Sequence, residues 1–207
     1  MPRSFSVSAK KRMNSFVLLS TFRNFALDKN HITMISRLRH VVVWLSRISH
    51  CRGFGIQSPT DYGFVRYVIN EHWPYYAYER WSSDDWLTRK LGKLYFRLAN
   101  WRQPHIIESN HAEDYLHAGC RNAVIESNAE HADLIIANPD DVADINTLLD
   151  KTDEKTVLVA EGIWQHPDWW ERLLSDERVR TAFDLYYCGI ACFDSSRRFR
   201  QTYIVNF

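Results

Sequence analysis

Apolar residues at helical spacing run through the first half of the chain. Steps of three and four residues predict a helix over residues 34–49, carried by Ile35, Leu38, Val41, Val42, Leu45 and Ile48. A second helix is expected to begin at Pro59, because Ser58 suits the capping position and proline suits the first turn. A third is predicted over residues 87–101. The first half is therefore predicted to be helical.

The pattern changes after Pro104, where short apolar runs alternate with amphipathic segments. Strands are predicted over residues 105–108, 122–126, 133–138 and 156–160, and helices over 112–120, 140–150 and 168–174. Three further strands are predicted over residues 181–187, 190–193 and 201–207. Alternation at this spacing favours an α/β fold, in which helices cover a parallel sheet. A hairpin at the end of the chain would add antiparallel strands at one edge.

These patterns divide the chain into an N-terminal appendage (residues 1–33), a helical region (34–103) and an α/β domain (104–207). The appendage has a basic cluster, Lys10–Arg12, followed by a short apolar run, which is the outline of a signal peptide. The apolar run spans only four residues and no cleavage site follows, so we expect a cytoplasmic protein. Met13 and Met34 are candidates for the true translation start.

Charge is distributed unevenly although the net charge is only +1. Residues 1–103 have a balance of +11 and residues 104–207 a balance of −10. A basic half can contact nucleic acid or a membrane surface. We favour attraction between the two halves of one fold, because the basic residues are interspersed with apolar ones. No apolar run is long enough to predict a transmembrane helix.

An aromatic segment at residues 72–81 allows two interpretations. It holds His72-Trp73-Pro74-Tyr75-Tyr76-Ala77-Tyr78 and Trp81. Such rings can stack on a base or a sugar. They more often form core or cover it, and we favour that interpretation.

Several segments, taken in order, resemble the class I S-adenosylmethionine-dependent methyltransferases. The nearest likeness is to small bacterial members that have an N-terminal helix and an H-G-x-H-S-P-F signature before a Rossmann-like domain. Phe54–Thr60 stands at that signature, where Gly55, Ser58 and Pro59 match and the other signature positions differ. Further likenesses are Tyr75–Glu79, Gly92–Leu98 with Gln103-Pro104, Thr156–Ile163, Phe183–Tyr186 with Gly189-Ile190, and Gln201–Phe207.

The resemblance implies a reduced Rossmann-like methyltransferase sheet with C-terminal antiparallel strands and an N-terminal helical region. It also implies where S-adenosylmethionine would bind. Glu108, after the first strand, stands at the family's acidic cofactor position, and Glu126 stands where an acid holds the ribose hydroxyls. The predicted cofactor-binding residues are Glu108, Ser109, Asn110, Glu126 and Asn138. The candidate catalytic residues are Asp140 and Glu161.

The chain departs from the family at the cofactor loop. Residues 109–114 contain no glycine, although the family's turn uses glycines to bring the backbone close to the cofactor. Glu113 and Asp114 add negative charge near the cofactor's carboxylate. The stretch from Glu108 to Asp133 is too short for two full βα units and a strand, so one strand–helix unit is expected to be missing.

These departures predict a degenerate homologue with weak or lost cofactor binding, a pseudoenzyme that acts as a binding or dimerisation module. The alternative is an active methyltransferase with a divergent cofactor loop and a small-molecule or protein substrate. A homodimer is compatible with the apolar N-terminal helix and the eight tryptophans.

Other chemistry is less well supported. His111, Glu113, His117 and Cys120 lack a second ligand cluster, so no metal site is predicted. Asn138-Pro139-Asp140 resembles the N-P-P-aromatic motif of DNA amino-methyltransferases, but the second proline and the aromatic residue are absent. A nucleic-acid partner is therefore not expected.

Overall fold

The computed structural model describes residues 29–142 and 144–207. A boundary between Leu45 and Ser46 separates two compact units, and residues 46–207 form the larger one. The predicted appendage lies outside the described residues up to residue 28. The six α-helices among the described residues are α1 (Lys29–Ser46), α2 (Pro59–Phe64), α3 (Trp86–Arg102), α4 (Glu113–Gly119), α5 (Ile145–Leu149) and α6 (Pro167–Ser175).

The predicted start of α2 is confirmed. The Ser58 hydroxyl accepts a hydrogen bond from the Asp61 amide, and Pro59 occupies the first turn, where its missing N–H leaves no helical bond unmade. α2 continues into a π-helical turn, Val65–Ile69. Asp85 caps α3 by accepting from the amides of Leu87 and Thr88. The larger unit thus contains both α2 and α3 from the predicted helical region and the sheet that follows.

Seven strands form one mixed sheet. They are β1 (Ile106–Glu108), β2 (Val124–Glu126), β3 (Leu134–Ala137), β4 (Val157–Glu161), β5 (Thr181–Asp184), β6 (Cys188–Cys192) and β7 (Gln201–Ile204). Their order across the sheet is β2-β1-β3-β4-β6-β5-β7. The α/β class with a mostly parallel sheet is confirmed.

The antiparallel part of the sheet differs from the prediction of a hairpin at one edge. Only β6 runs against the other described strands, and it lies in the interior, antiparallel to both β4 and β5. β7 pairs with β5 in parallel and forms the edge. A tight turn, residues 185–187, joins β5 to β6, and β6 lies between β4 and β5 in the sheet.

The connection from β2 to β3 is very short. β2 ends at Glu126, β3 begins at Leu134, and the seven residues 127–133 contain neither helix nor strand. β1 lies between these two strands and pairs with both in parallel. The expected shortening of this half of the sheet thus takes the form of a crossover without a helix, which leaves β2 as a three-residue edge strand.

Successive strand residues point to opposite faces of the sheet. Because apolar residues point to both faces, helices cover both. In β3, Leu134 and Ile136 belong to the core that also contains residues of α2, α3 and α4. Ile135 and Ala137 belong to the opposite core, beneath α5 and α6. Trp170 of α6 is buried there, and Trp169 packs beside it. The carboxyl ends of the parallel strands are left open between these two layers.

Candidate functional site

A cavity of about 330 Å³ opens at the carboxyl ends of β1 and β3. The carboxyl ends of the strands are where ligands bind in open α/β sheets. Four of the predicted cofactor-binding residues line this cavity, namely Glu108, Ser109, Asn110 and Asn138. β1 ends at Glu108 and β3 ends just before Asn138, so adjacent parallel strands bring these residues together.

Lys151 fills part of this cavity with a positive charge. Its ammonium group lies 2.7 Å from Oε1 of Glu108 and 2.8 Å from Oδ1 of Asn128. The side chains of Lys151 and Glu108 are 21% and 13% exposed, so the pair is largely shielded from water. Glu108 Oε2 is buried and has no hydrogen-bond partner among the described residues. The carboxylate at the predicted cofactor position is therefore already paired with a cation of the chain itself.

The loop after β1 adopts a glycine-type conformation without a glycine. Ala112, which precedes α4, has φ of +62° and ψ of +22°, in the left-handed region. A residue with a Cβ in this region is disfavoured by about 1–2 kcal/mol. Ser109 holds the loop from within, since its hydroxyl donates to the His111 carbonyl at 2.6 Å. The loop thus keeps a sharp turn while presenting side chains where the family has glycines.

A second cavity, of about 640 Å³, adjoins the first, and His111 lines both. Glu161, at the end of β4, accepts hydrogen bonds here from the Tyr95 hydroxyl and from His111 Nε2, the latter at 3.0 Å. Tyr95 is buried, and burial together with the charge of Glu161 raises its pKa well above the ordinary value. Tyr95 therefore stays protonated at neutral pH and donates a hydrogen bond to Glu161. Glu161 is a carboxylate held between two donors.

Two predicted site residues lie elsewhere. Glu126 is exposed and does not line the cavity, although its carbonyl accepts from the Ser109 amide at 2.9 Å. Asp140 has a side chain that is 69% exposed and lies 3.4 Å from His166 Nε2. The neighbouring Asp141 lines the cavity instead. The structure brings Glu108, Ser109, Asn110 and Asn138 together, places Glu161 in the adjoining cavity and leaves Glu126 and Asp140 outside both.

Sequence reasoning missed Lys151 and Tyr95. Lys151 follows α5 and is 43 residues from Glu108, and Tyr95 is 66 residues from Glu161. Tyr95 lies within the helix predicted over residues 87–101, and its ring belongs to the apolar core. One available signal was its hydroxyl, since a buried tyrosine hydroxyl needs a polar partner. Nothing in the sequence singled out Lys151.

We expect the imidazole of His111 to titrate above its ordinary pKa of about 6.5. The hydrogen bond to Glu161 raises its pKa, and burial opposes the shift without cancelling it. A raised pKa in the folded state means that the His111–Glu161 pair stabilises the fold at low pH, where His111 is charged in both the folded and the unfolded chain. This stabilisation is lost as the pH rises through the pKa of the folded state. A two-dimensional NMR titration of the histidine rings measures the shift.

Glu161→Gln removes the charge and should lower the pKa of His111. Glu113→Gln is the matched control, because Glu113 lines the same cavity and is not among the groups that shift His111. An equal change in both variants, or a His111 pKa at or below 6.5 in the unmodified chain, would contradict the pairing.

The candidate metal ligands do not converge. Cys120 is buried and its thiol lies 3.6 Å from the Pro104 carbonyl, whereas His117 is exposed. Across residues 29–142 and 144–207, no group of three histidine, cysteine or acidic side chains is arranged to hold a metal ion.

Comparisons with protein-family models, with curated proteins and with solved structures gave no match. No helix in the described part of the chain combines the length and the apolar character needed to cross a bilayer.

Proposed function

We propose that this chain is a degenerate homologue of the S-adenosylmethionine-dependent methyltransferases that has lost cofactor binding and acts as a binding module. The observation that carries the proposal is the Lys151–Glu108 ion pair. Glu108 stands at the position that the resemblance assigns to the cofactor, and an ammonium group of the chain lies 2.7 Å from it.

The charge of the cofactor makes this pair unfavourable for binding. S-adenosylmethionine carries a sulfonium cation and an α-ammonium group against a single carboxylate, so its net charge is positive and a lysine in the cavity disfavours it. Binding would also require Glu108 to exchange a shielded partner for the ligand. The residues present therefore do not fit the cofactor, and no methyl-transfer step is assigned to them.

Two further features support loss of binding. Side chains occupy the loop of residues 109–112, where the family has a glycine-rich turn, and Ala112 holds the left-handed conformation. Glu126, the residue at the ribose position, is exposed and outside the cavity. Each removes one of the contacts that the resemblance predicts for the cofactor.

An active methyltransferase remains the second candidate because of one observation. His111 lines both the cavity that contains Glu108 and the cavity that contains Glu161. His111 and Glu161, a pair able to exchange a proton, thus lie beside the predicted cofactor cavity. An acid–base step on a substrate would require such a pair.

Calorimetric titration of the full chain with S-adenosylmethionine and S-adenosylhomocysteine separates the two candidates. We expect neither heat nor thermal stabilisation at 1 mM ligand. A dissociation constant below about 100 μM, roughly −5.5 kcal/mol, would overturn the proposal in favour of an active enzyme. Lys151→Ala, which removes the blocking charge, should bind more tightly than the unmodified chain, and Lys155→Ala serves as the matched control.

A further inference from the structure

A separate cavity of about 780 Å³ lies on the helical side of the larger unit. Its walls are residues 69–76, 78 and 79, which begin at the last residue of the π-helical turn, together with one face of α3 and Phe207. It shares no lining residue with the two cavities at the sheet edge. Its volume lies in the range of small-molecule sites.

Three cations of α3 line this cavity, namely Lys90, Lys93 and Arg97. Spacings of three and four residues place them on one face of the helix. No carboxylate of the described residues lies within ion-pair distance of any of them. Each of these three positive charges therefore lacks a direct ion-pair partner in this part of the chain.

Protein groups hold these cations in place without neutralising them. Arg97 is buried and donates to the carbonyls of Val68 and Ile69 at 2.6 and 2.9 Å. The ammonium of Lys90 lies 4.2 Å from the ring centroid of Phe207, and that of Lys93 lies 4.6 Å from the ring centroid of Tyr78. Burial, reinforced by the charge of Arg97, lowers the pKa of Lys90 to about 8. An anion in the cavity would relieve this repulsion.

Glu71 and Glu79 also line the cavity, so the formal charges of its lining sum to +1 with His72 neutral. Both carboxylate oxygens of Glu71 lie 3.0 Å from the Tyr75 hydroxyl, and Glu79 is exposed. The pKa of His72 is lowered, first by burial and then by the positive charges of nearby residues, Lys90 and Arg97 among them. The cavity is therefore electropositive.

Asn70 provides a second, independent sign of a ligand. The residue is 7% exposed, lines the cavity, and its Nδ2 is buried without a hydrogen-bond partner among the described residues. Buried donors in folded proteins are nearly always bonded. An oxygen atom of a ligand in the cavity would accept a hydrogen bond from Nδ2 of Asn70.

Two aromatic rings of the wall are exposed, unlike their neighbours. Tyr75, Tyr78 and Trp81 pack around Phe96, as the core interpretation of the segment predicts. Trp73 and Tyr76 are 71% and 93% exposed and line the cavity. Exposed rings beside a cationic wall are a surface on which a planar ring can stack. Both interpretations of the aromatic segment thus apply, each to different residues.

We propose that this cavity binds a nucleoside monophosphate. Its phosphate lies against Lys90, Lys93 and Arg97 and accepts from the Asn70 amide, and its base stacks on Trp73 or Tyr76. A dianionic phosphate suits three cations better than a single carboxylate does, and a nucleobase supplies the planar ring. The proposal is independent of the methyltransferase resemblance, since S-adenosylmethionine has no phosphate.

Titration of the full chain with AMP, adenosine and inorganic phosphate tests the site. We expect saturable AMP binding at least tenfold tighter than that of adenosine or phosphate alone. Lys93→Gln should weaken AMP binding at least tenfold by removing a charge, and Trp73→Ala at least threefold by removing the ring. Lys155→Gln, at an exposed lysine outside the cavity, should leave binding unchanged.

Any of four results would overturn the proposal. They are no saturation at 5 mM AMP, phosphate binding as tightly as AMP, AMP affinity that survives both Lys93→Gln and Trp73→Ala, and binding of a 5′-phosphorylated oligonucleotide without binding of AMP. Each variant should keep the melting temperature of the unmodified chain within about 2 °C, because Lys93 and Trp73 lie at the surface of the cavity. Failure here leaves the cofactor titration at the sheet edge unaffected.

Discussion

Replacing Gly92 with alanine is expected to lower the free energy of unfolding by about 3 kcal/mol, the upper range for overpacking a core. A Cβ at this position of α3 would lie 2.3–2.5 Å from three ring atoms of Tyr115 on α4. The ring has no room to move away, because it stacks on Trp81 with centroids 4.0 Å apart and its hydroxyl bonds to Asp84. α3 and α4 must therefore separate. Urea unfolding followed by circular dichroism measures the loss.

Gly63→Ala is the matched control for this prediction. Gly63 also lies in a helix, α2, but its added Cβ would meet no atom within 4 Å. Alanine should therefore stabilise the chain by up to about 1 kcal/mol through helix propensity. In a Tyr115→Ala background, Gly92→Ala should lose most of its effect. Equal effects of the two glycine substitutions would contradict the close contact.

Arg197→Met is expected to lower the free energy of unfolding by about 3 kcal/mol, the lower end for a broken buried ion pair. Arg197 Nη1 lies 2.6 Å from Oδ1 of Asp61, whose side chain is only 2% exposed. Without the arginine, the partner left to this buried carboxylate among the described residues is the Tyr203 hydroxyl, which donates to Oδ2 at 3.1 Å. One quarter of the arginine is exposed, which keeps the expected loss at the lower end.

Arg178→Met is the comparison for a surface pair. Arg178 contacts Asp150 at 2.8 Å and Asp176 at 2.9 Å, but its own side chain is 40% exposed and that of Asp150 is 73% exposed, so the loss should stay below about 1 kcal/mol. Adding Asp61→Asn to Arg197→Met should recover part of the stability, because no unpaired charge is then buried. A loss of under 1 kcal/mol for Arg197→Met would show that Asp61 is solvated without its partner.

Element positions were largely predictable, because short apolar runs such as Leu134–Ala137 are buried on both faces and leave few alternatives. The interior position of β6 was not, since strand order depends on pairing between distant segments. The helix predicted over residues 140–150 is only Ile145–Leu149. Asp144 caps it by accepting from the Asn146 amide, and this local bond fixes a later start.

Part of the candidate site was predictable for a similar reason. Residues directly after parallel strands meet at one edge, which brought Glu108 and Asn138 to the same cavity. Side-chain direction was not predictable, so Asp141 lines the cavity and the predicted Asp140 does not. The electropositive cavity was hidden, because its cations lie on a helix and its rings on a loop 14 or more residues earlier.

The interior position of β6 also determines when the sheet can be completed during synthesis. β5 is made before β6, but within the described sheet it pairs only with β6 and β7. On the ribosome, β4 therefore keeps an open, apolar edge until Cys188–Cys192 has emerged, and β5 waits for the same strand. Open edges of this kind invite pairing with other chains. The nascent chain is therefore open to aggregation from the synthesis of β4 until Cys188–Cys192 has emerged, and this is the interval in which a chaperone would protect it.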